Sequence, residues 1–163
     1  MINYIFEGDI FSLDGISAYA HGCNCAGAMG KGIALSFKNK YPQMYLEYKE
    51  LCRQGKFKPG DIFVYKSPDG FCVYNLGTQA NWWSKATLEN ISTSIKNMMK
   101  SAKETGVQNI AMPAIGAGLG GLEWNDVKQV IEEISKDYPD ICLHIVERFK
   151  KKQLERNSYG KNF

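Results

Sequence analysis

The sequence predicts an α/β domain built on a mixed, mostly parallel sheet with helices on both faces. Three observations carry this. Strand-like and helix-like patterns follow one another in the order β β α α β β α β α β, the interleaving that layered α/β domains require. Two short runs, "NIAMP" (109–113) and "ICLHIV" (141–146), are apolar almost throughout, as strands covered on both faces are. One hairpin signal falls mid-chain, and its antiparallel pair makes the sheet mixed.

The elements follow from local patterns. "INYIF" (2–6) has strand character and ends at the turn signal "EGD"; "SAYAHG" (17–22) is a second short strand. From Lys31 to Tyr41 the apolar residues Ile33, Ala34, Phe37 and Tyr41 keep helical spacing. Pro42 interrupts that helix, and Met44, Tyr45, Tyr48, Leu51 and Cys52 carry the period into another. Strands over 61–66 and 71–76 flank "SPDG", in which Pro68 and Gly70 suit a type I turn. Thr87 caps a one-sided helix running to Lys103, with Leu88, Ile91, Ile95, Met98, Met99 and Ala102 on its apolar face. The strand 109–113 ends at Pro113, and "AIGAGLGGLEW" is a loop. Trp124, Val127, Val130, Ile131 and Ile134 mark the last helix, before the strand 141–146.

At 163 residues the chain suits one domain, placed over 1–149, with a core that needs no staples. Residues 150–163 form a basic tail. From Arg148 to Phe163 six Lys/Arg face one Glu, so of the net charge of +3 the tail holds +5 and the rest −2. Such a tail can touch nucleic acid weakly through a sequence-independent charge effect, or can simply be a solvated terminus. No apolar run reaches bilayer length, and "MINYIFEGDIFSL" lacks the basic region and cleavage site of a signal peptide. Five cysteines, an odd count, argue against a disulfide framework, and the expected compartment is a reducing cytoplasm. The lack of heptads makes a monomer the default.

Two glycine loops carry the functional signal. "HGCNCAGAMGKGIALSF" runs from a strand into a helix and places Gly27, Gly30 and Gly32 at the turn. "GAGLGG" (116–121) repeats the arrangement after the strand 109–113. Glycines let backbone N–H groups approach an anion, and a helix start adds free donors. Two such loops at the carboxyl ends of strands can close on one diphosphate. Neither is a Walker loop or a dinucleotide fingerprint. His21, Cys23 and Cys25 alternate, but their spacing, and the absence of pair spacing at Cys52, Cys72 and Cys142, disfavour zinc. Cys25 stops short of the helix start that a low-pKa redox thiol would want.

These residues resemble the macrodomain family of ADP-ribose-binding α/β modules over about residues 1–149, through "EGDIF", "HGCNCAGAMGKGIA" and "MPAIGAGLGGLEW" in that order. The resemblance implies a three-layer α/β/α fold that binds ADP-ribose or ADP-ribose-1″-phosphate with no cofactor, no metal and no membrane. It implies that Asp9 accepts the adenine amino group beside the Ile10 backbone, and that Asn24 bonds the distal ribose. Met29, Gly30, Lys31, Gly32, Ile33 and Ala34 would line that ribose and one phosphate. Ile115, Gly116, Ala117, Gly118 and Leu119 would wrap the diphosphate, with Thr78 and Pro113 beside them. Glu147 and Phe149 both stand near the position of an adenine-stacking aromatic.

Members that remove ADP-ribose from glutamate or DNA carry a lysine and an aspartate where this chain has Gln79 and Gly120; Lys85 is offset by several residues. "H-x-C-N-C" is instead similar to the members that hydrolyse ADP-ribose-1″-phosphate. The resemblance therefore implies a phosphatase in which His21 is the acid, base or phosphate partner. The alternatives are a non-catalytic ADP-ribose binder and a hydrolase acting on modified protein or nucleic acid. At residue level, His21 can instead be a hydrogen-bonded strand-end side chain, and Asn24 a loop cap. Trp82 and Trp83 either rim the pocket, plug the core or form a partner surface.

Overall fold

A computed structural model describes residues 1–152. It contains six strands and four α-helices: β1 (Ile2–Gly8), β2 (Ala18–Asn24), α1 (Gly32–Lys40), α2 (Pro42–Arg53), β3 (Ile62–Lys66), β4 (Cys72–Gln79), α3 (Leu88–Thr105), β5 (Asn109–Pro113), α4 (Trp124–Ser135) and β6 (Cys142–Phe149). A short 3-10 turn, Ile10–Ser12, follows β1 and had no signal in the sequence. The basic-tail reading beyond Lys152 lies outside the described residues.

The strands form one sheet in the order β1-β6-β5-β2-β4-β3. Five run parallel, and only the edge strand β3 is antiparallel, to β4. The hairpin between them closes with Gly70 N–H donating to the Ser67 carbonyl at 3.1 Å, and Gly70 takes φ +90°, which a side chain would resist. Four strands, β1, β2, β4 and β6, outrun their sequence limits because neighbours extend them. β4 continues to Gln79 opposite Asn24 of β2, and β6 continues to Phe149 opposite Gly8 of β1.

Helices cover both faces, giving the three-layer α/β/α arrangement. α3 and α4 place Ile91, Ile95, Met98, Val127 and Ile131 against Ala18, Ala20, Leu76 and Ile110. On the other face, α1 and α2 set Phe37, Met44 and Tyr48 against Tyr19, Cys23 and Val73. Each fully buried aliphatic or aromatic side chain stabilises the fold by about 1.5–3 kcal/mol before entropic costs. α3 is capped at both ends. The Thr87 hydroxyl accepts from Asn90 N–H at 3.1 Å, and Gly106 ends the helix at φ +76°. No helix among the described residues is long and apolar enough to cross a membrane.

Candidate functional site

β2 and β5 are neighbours only at their starts, pairing through Ala18–Ile110 and Tyr19–Ala111. Beyond Tyr19 they part toward their carboxyl ends. The chain leaves β2 for α1 and α2 on one face and β5 for α4 on the other. A crevice outside the carboxyl ends of strands, where the connections reverse, is where open α/β sheets bind ligands. Here that crevice is a cleft of about 420 Å³.

The first glycine loop forms one wall. Asn24 at the end of β2 folds it. Its Oδ1 accepts from Ala26 N–H at 3.0 Å and Ala28 N–H at 3.3 Å, and its Nδ2 donates to the Ala28 carbonyl at 2.7 Å. The buried Tyr48 hydroxyl donates to the Asn24 carbonyl at 2.7 Å, with Oδ1 at 2.9 Å. Asn24 is thus a loop cap that also lines the cleft, with one of its two amide protons uncommitted. Gly30, Lys31 and Ala34 continue the wall. No side chain caps the start of α1, so its first N–H groups remain open to an anion.

The second loop faces the first. Gly116 takes φ +80°, and a Cβ there would lie 2.6 Å from Ile91 Cδ1. Gly120 packs so closely on Gly116 that a Cβ would lie 2.7 Å from its carbonyl oxygen. Leu122 N–H donates to that same oxygen at 2.9 Å, which closes the loop. Leu119 reaches across until its Cδ1 would touch a Cβ on Gly32 at 3.5 Å. Leu119 lines the cleft, Ala117 is half-buried and Gly118 is exposed.

Several sequence-expected residues lie elsewhere. The side chains of Ile10, Met29 and Ile115 are buried in the core, and Ile33 packs against it, so only their backbone can face a ligand. Thr78 is buried, donating to the Cys23 carbonyl at 3.3 Å, and Pro113 is half-buried at the end of β5. Asp9 lies at a neighbouring hollow of about 540 Å³ with Lys150, Lys151 and Lys152. Its Oδ1 accepts from Phe11 N–H at 2.9 Å and its Oδ2 from Lys152 N–H at 2.8 Å. Asp9 and Asn24 follow strands three places apart in the sheet, about 14 Å at ordinary strand spacing. Glu147 is turned to α4, accepting from Trp124 Nε1 at 2.8 Å and pairing with Lys128 at 3.5 Å. Phe149 packs edge-on against Phe11, next to Asp9.

His21 requires a correction. The alternation that puts His21 and Cys23 on one face is real, but that face packs under α1. His21 is 0% exposed and stacks on Phe37 with ring centroids 4.1 Å apart. Asn75 Nδ2 donates to the Phe63 carbonyl, which turns Asn75 Oδ1 toward His21 Nε2 at 2.6 Å; the imidazole proton therefore sits on Nε2. Burial pushes the imidazole pKa down to about 4, against the weaker opposing effect of the Asn75 hydrogen bond. A neutral, enclosed ring does not touch a ligand in the cleft. Burial likewise raises the Cys23 thiol well above its usual range and pushes Cys25 up to about 12, which keeps both protonated.

Gln79 lines the cleft as well. Its Nε2 donates to the Asn81 carbonyl at 3.0 Å and the Ser84 carbonyl at 2.8 Å, pinning the segment that bears Trp82 and Trp83. Both tryptophans rim the cleft rather than plug the core. Gly22 and Ala28 were not singled out as lining residues. Gly22 had a signal, a glycine at a strand end, since a Cβ there would press on Thr78 at 3.0 Å.

The Macro domain family model matches residues 20–131. The DNA ADP-ribosyl glycohydrolase of Mycobacterium tuberculosis is 34% identical over 144 residues, 86% of this chain but only 40% of that protein. This chain thus spans well under half the length of that relative. The human ADP-ribose glycohydrolase OARD1 is 36% identical over 133 residues, 82% of this chain and 83% of the other. The ADP-ribose 1″-phosphate phosphatase of Candida albicans is 29% identical over 147 residues, 82% and 93% of the two chains. In structure, the macrodomain of Mycobacterium tuberculosis DarG superposes with a TM-score of 0.83 at 32% identity, covering 93% of this chain and 99% of that one.

Proposed function

The chain belongs to the macrodomain family, and on that footing we propose that its cleft binds ADP-ribose and hydrolyses ADP-ribose-1″-phosphate to ADP-ribose and phosphate. One observation carries this reading. The residues lining the cleft include Lys31 and no carboxylate, and they stand between an uncapped helix start and a glycine loop. That is a setting for phosphate groups. Phosphoryl chemistry in such a setting rests on positioning and on donors aimed at the oxygens where charge builds. Asn24 would hold the distal ribose with its spare amide proton, and Asp9 would meet the adenine at the far end.

Gln79 supports the phosphatase over a lysine-imine route. Such a route needs an amine at this place, and Gln79 offers an amide already spent on the Asn81 and Ser84 carbonyls. The similarity to the Candida phosphatase runs along most of both chains, at lower identity than the similarity to the human glycohydrolase OARD1. His21 enters as a positioning residue, which holds β2 and α1 together beneath the first loop.

The test is phosphate release from ADP-ribose-1″-phosphate beside calorimetry with ADP-ribose. Release of one phosphate per substrate supports the reading. ADP-ribose binding without phosphate release overturns the enzyme and leaves a binding module. ADP-ribose freed instead from a modified protein or oligonucleotide would favour the hydrolase of macromolecules.

A further inference from the structure

Both carboxylate oxygens of Asp9 are already engaged. Phe11 N–H holds Oδ1 at 2.9 Å, and Lys152 N–H holds Oδ2 at 2.8 Å. The second donor belongs to the chain that follows β6. Phe149, the last residue of β6, packs edge-on against Phe11 with ring centroids 6.1 Å apart. Just beyond it, Lys150 N–H donates to the Gly8 carbonyl at 2.8 Å. Lys150 and Lys152 thus turn alternate N–H groups to Gly8 and Asp9, which is the period of a strand. Residues 150–152 thereby line the hollow at Asp9 together with Gly8, Ser12 and Leu13.

This segment is anchored at Phe149 and lightly held after it. All three lysines are exposed. The pair between Lys150 Nζ and Glu7 at 3.7 Å is exposed as well and adds little. A segment fixed mainly by exposed backbone hydrogen bonds opens at low free energy.

We propose that residues 150–152 are an autoinhibitory strap, which occupies the place where adenine meets Asp9, so that ADP-ribose binds only when Lys152 N–H has left the carboxylate. This rests on the reading of Asp9 as the acceptor of the adenine amino group. Lys152 N–H and that amino group are the same kind of donor and seek the same oxygen. Oδ1 is committed to capping the Ile10–Ser12 turn. A main chain whose nitrogen stands 2.8 Å from Oδ2 fills the line along which a ring would approach. The apparent affinity is then the intrinsic affinity reduced by the fraction of molecules with the strap open. The blocking donor is main chain, so lysine charge does not decide the competition, and proline is the substitution that ends it.

The experiment measures ADP-ribose binding to the full chain by calorimetry. Lys152→Pro removes the N–H and should bind about fivefold more tightly than the wild type. Lys152→Ala keeps the N–H and loses only an exposed charge, so it should stay within about twofold of the wild type. Asp9→Ala should bind more weakly than Lys152→Pro, because both free the strap but only the second keeps the adenine acceptor. Adding Lys152→Pro to Asp9→Ala should change nothing further. A second readout needs no variant. Saturating ADP-ribose should speed amide exchange at Lys152 in the wild type, read by NMR. Slower exchange marks a lid that closes on the ligand and overturns the proposal. So does a Lys152→Pro affinity equal to that of the wild type; if Asp9→Ala is weaker than both, the adenine reading stands and the strap alone falls. Asp9→Ala binding as tightly as Lys152→Pro removes the adenine role of Asp9 and the competition with it. No ADP-ribose binding by any form refutes the ADP-ribose reading itself and overturns the strap as well.

Discussion

His21 can be interrogated by pH. In the folded chain its pKa is pushed down to about 4 by burial, while in the unfolded chain it titrates at the ordinary 6.5. Between these values the unfolded state binds a proton that the folded state refuses, so stability falls as pH drops through the window. With those two pKa values the loss from pH 7 to pH 5 is about 1.8 kcal/mol, and its full extent at lower pH is about 3 kcal/mol. The group is wholly enclosed, so solvent screening takes little from this figure. For a domain of this size it corresponds to a melting point lower by about 4–7 °C. The assay is urea or thermal unfolding of wild type and His21→Gln at both pH values. The variant keeps an N–H for Asn75 and cannot titrate here, and His144 is common to both. The wild type should lose about 1.8 kcal/mol more than the variant. Equal losses would refute the buried neutral imidazole. So would a break in the wild-type kcat profile near pH 6.5 that His21→Gln removes, since that would give the ring a proton-transfer role in the cleft.

Other perturbations test the walls of the cleft. Tyr48→Phe removes the donor that holds Asn24, which should cost about 1 kcal/mol of stability by urea unfolding and weaken ADP-ribose severalfold by calorimetry. Gly120→Ala places a Cβ 2.7 Å from the Gly116 carbonyl oxygen, so the second loop must shift; ADP-ribose affinity should fall about tenfold or more. A Cβ at Gly118 meets nothing within 4 Å, and Gly118→Ala should melt within about 1 °C of wild type by calorimetric scan. Gln79→Ala frees the tryptophan segment, and a red-shifted, more quenchable tryptophan fluorescence than that of the wild type should report it.

Much of the fold was legible because it rests on local rules. The Thr87 cap, the "SPDG" turn and the apolar stripes of α2, α3 and α4 each report their own few residues. Strand ends were less legible, since Gln79 and Phe149 are extended by neighbours distant in sequence. The two glycine loops could be read as anion cradles because glycine tolerates positive φ and close approach wherever it sits. What sequence could not assign was the direction of each side chain. The alternation of His21 and Cys23 set them on one face without saying which layer that face meets.

By itself, then, the sequence determined the layers and the two glycine loops, because periodicity, turn chemistry and glycine freedom are properties of short stretches. Only the tertiary structure decided which side chains line the cleft. The parting of β2 from β5 opens the cleft, α1 closes over His21 and makes it a neutral support, and Gln79 turns Trp82 and Trp83 outward to the mouth. Those outcomes depend on contacts between residues far apart in the chain, where burial fixes both a side chain's direction and its charge.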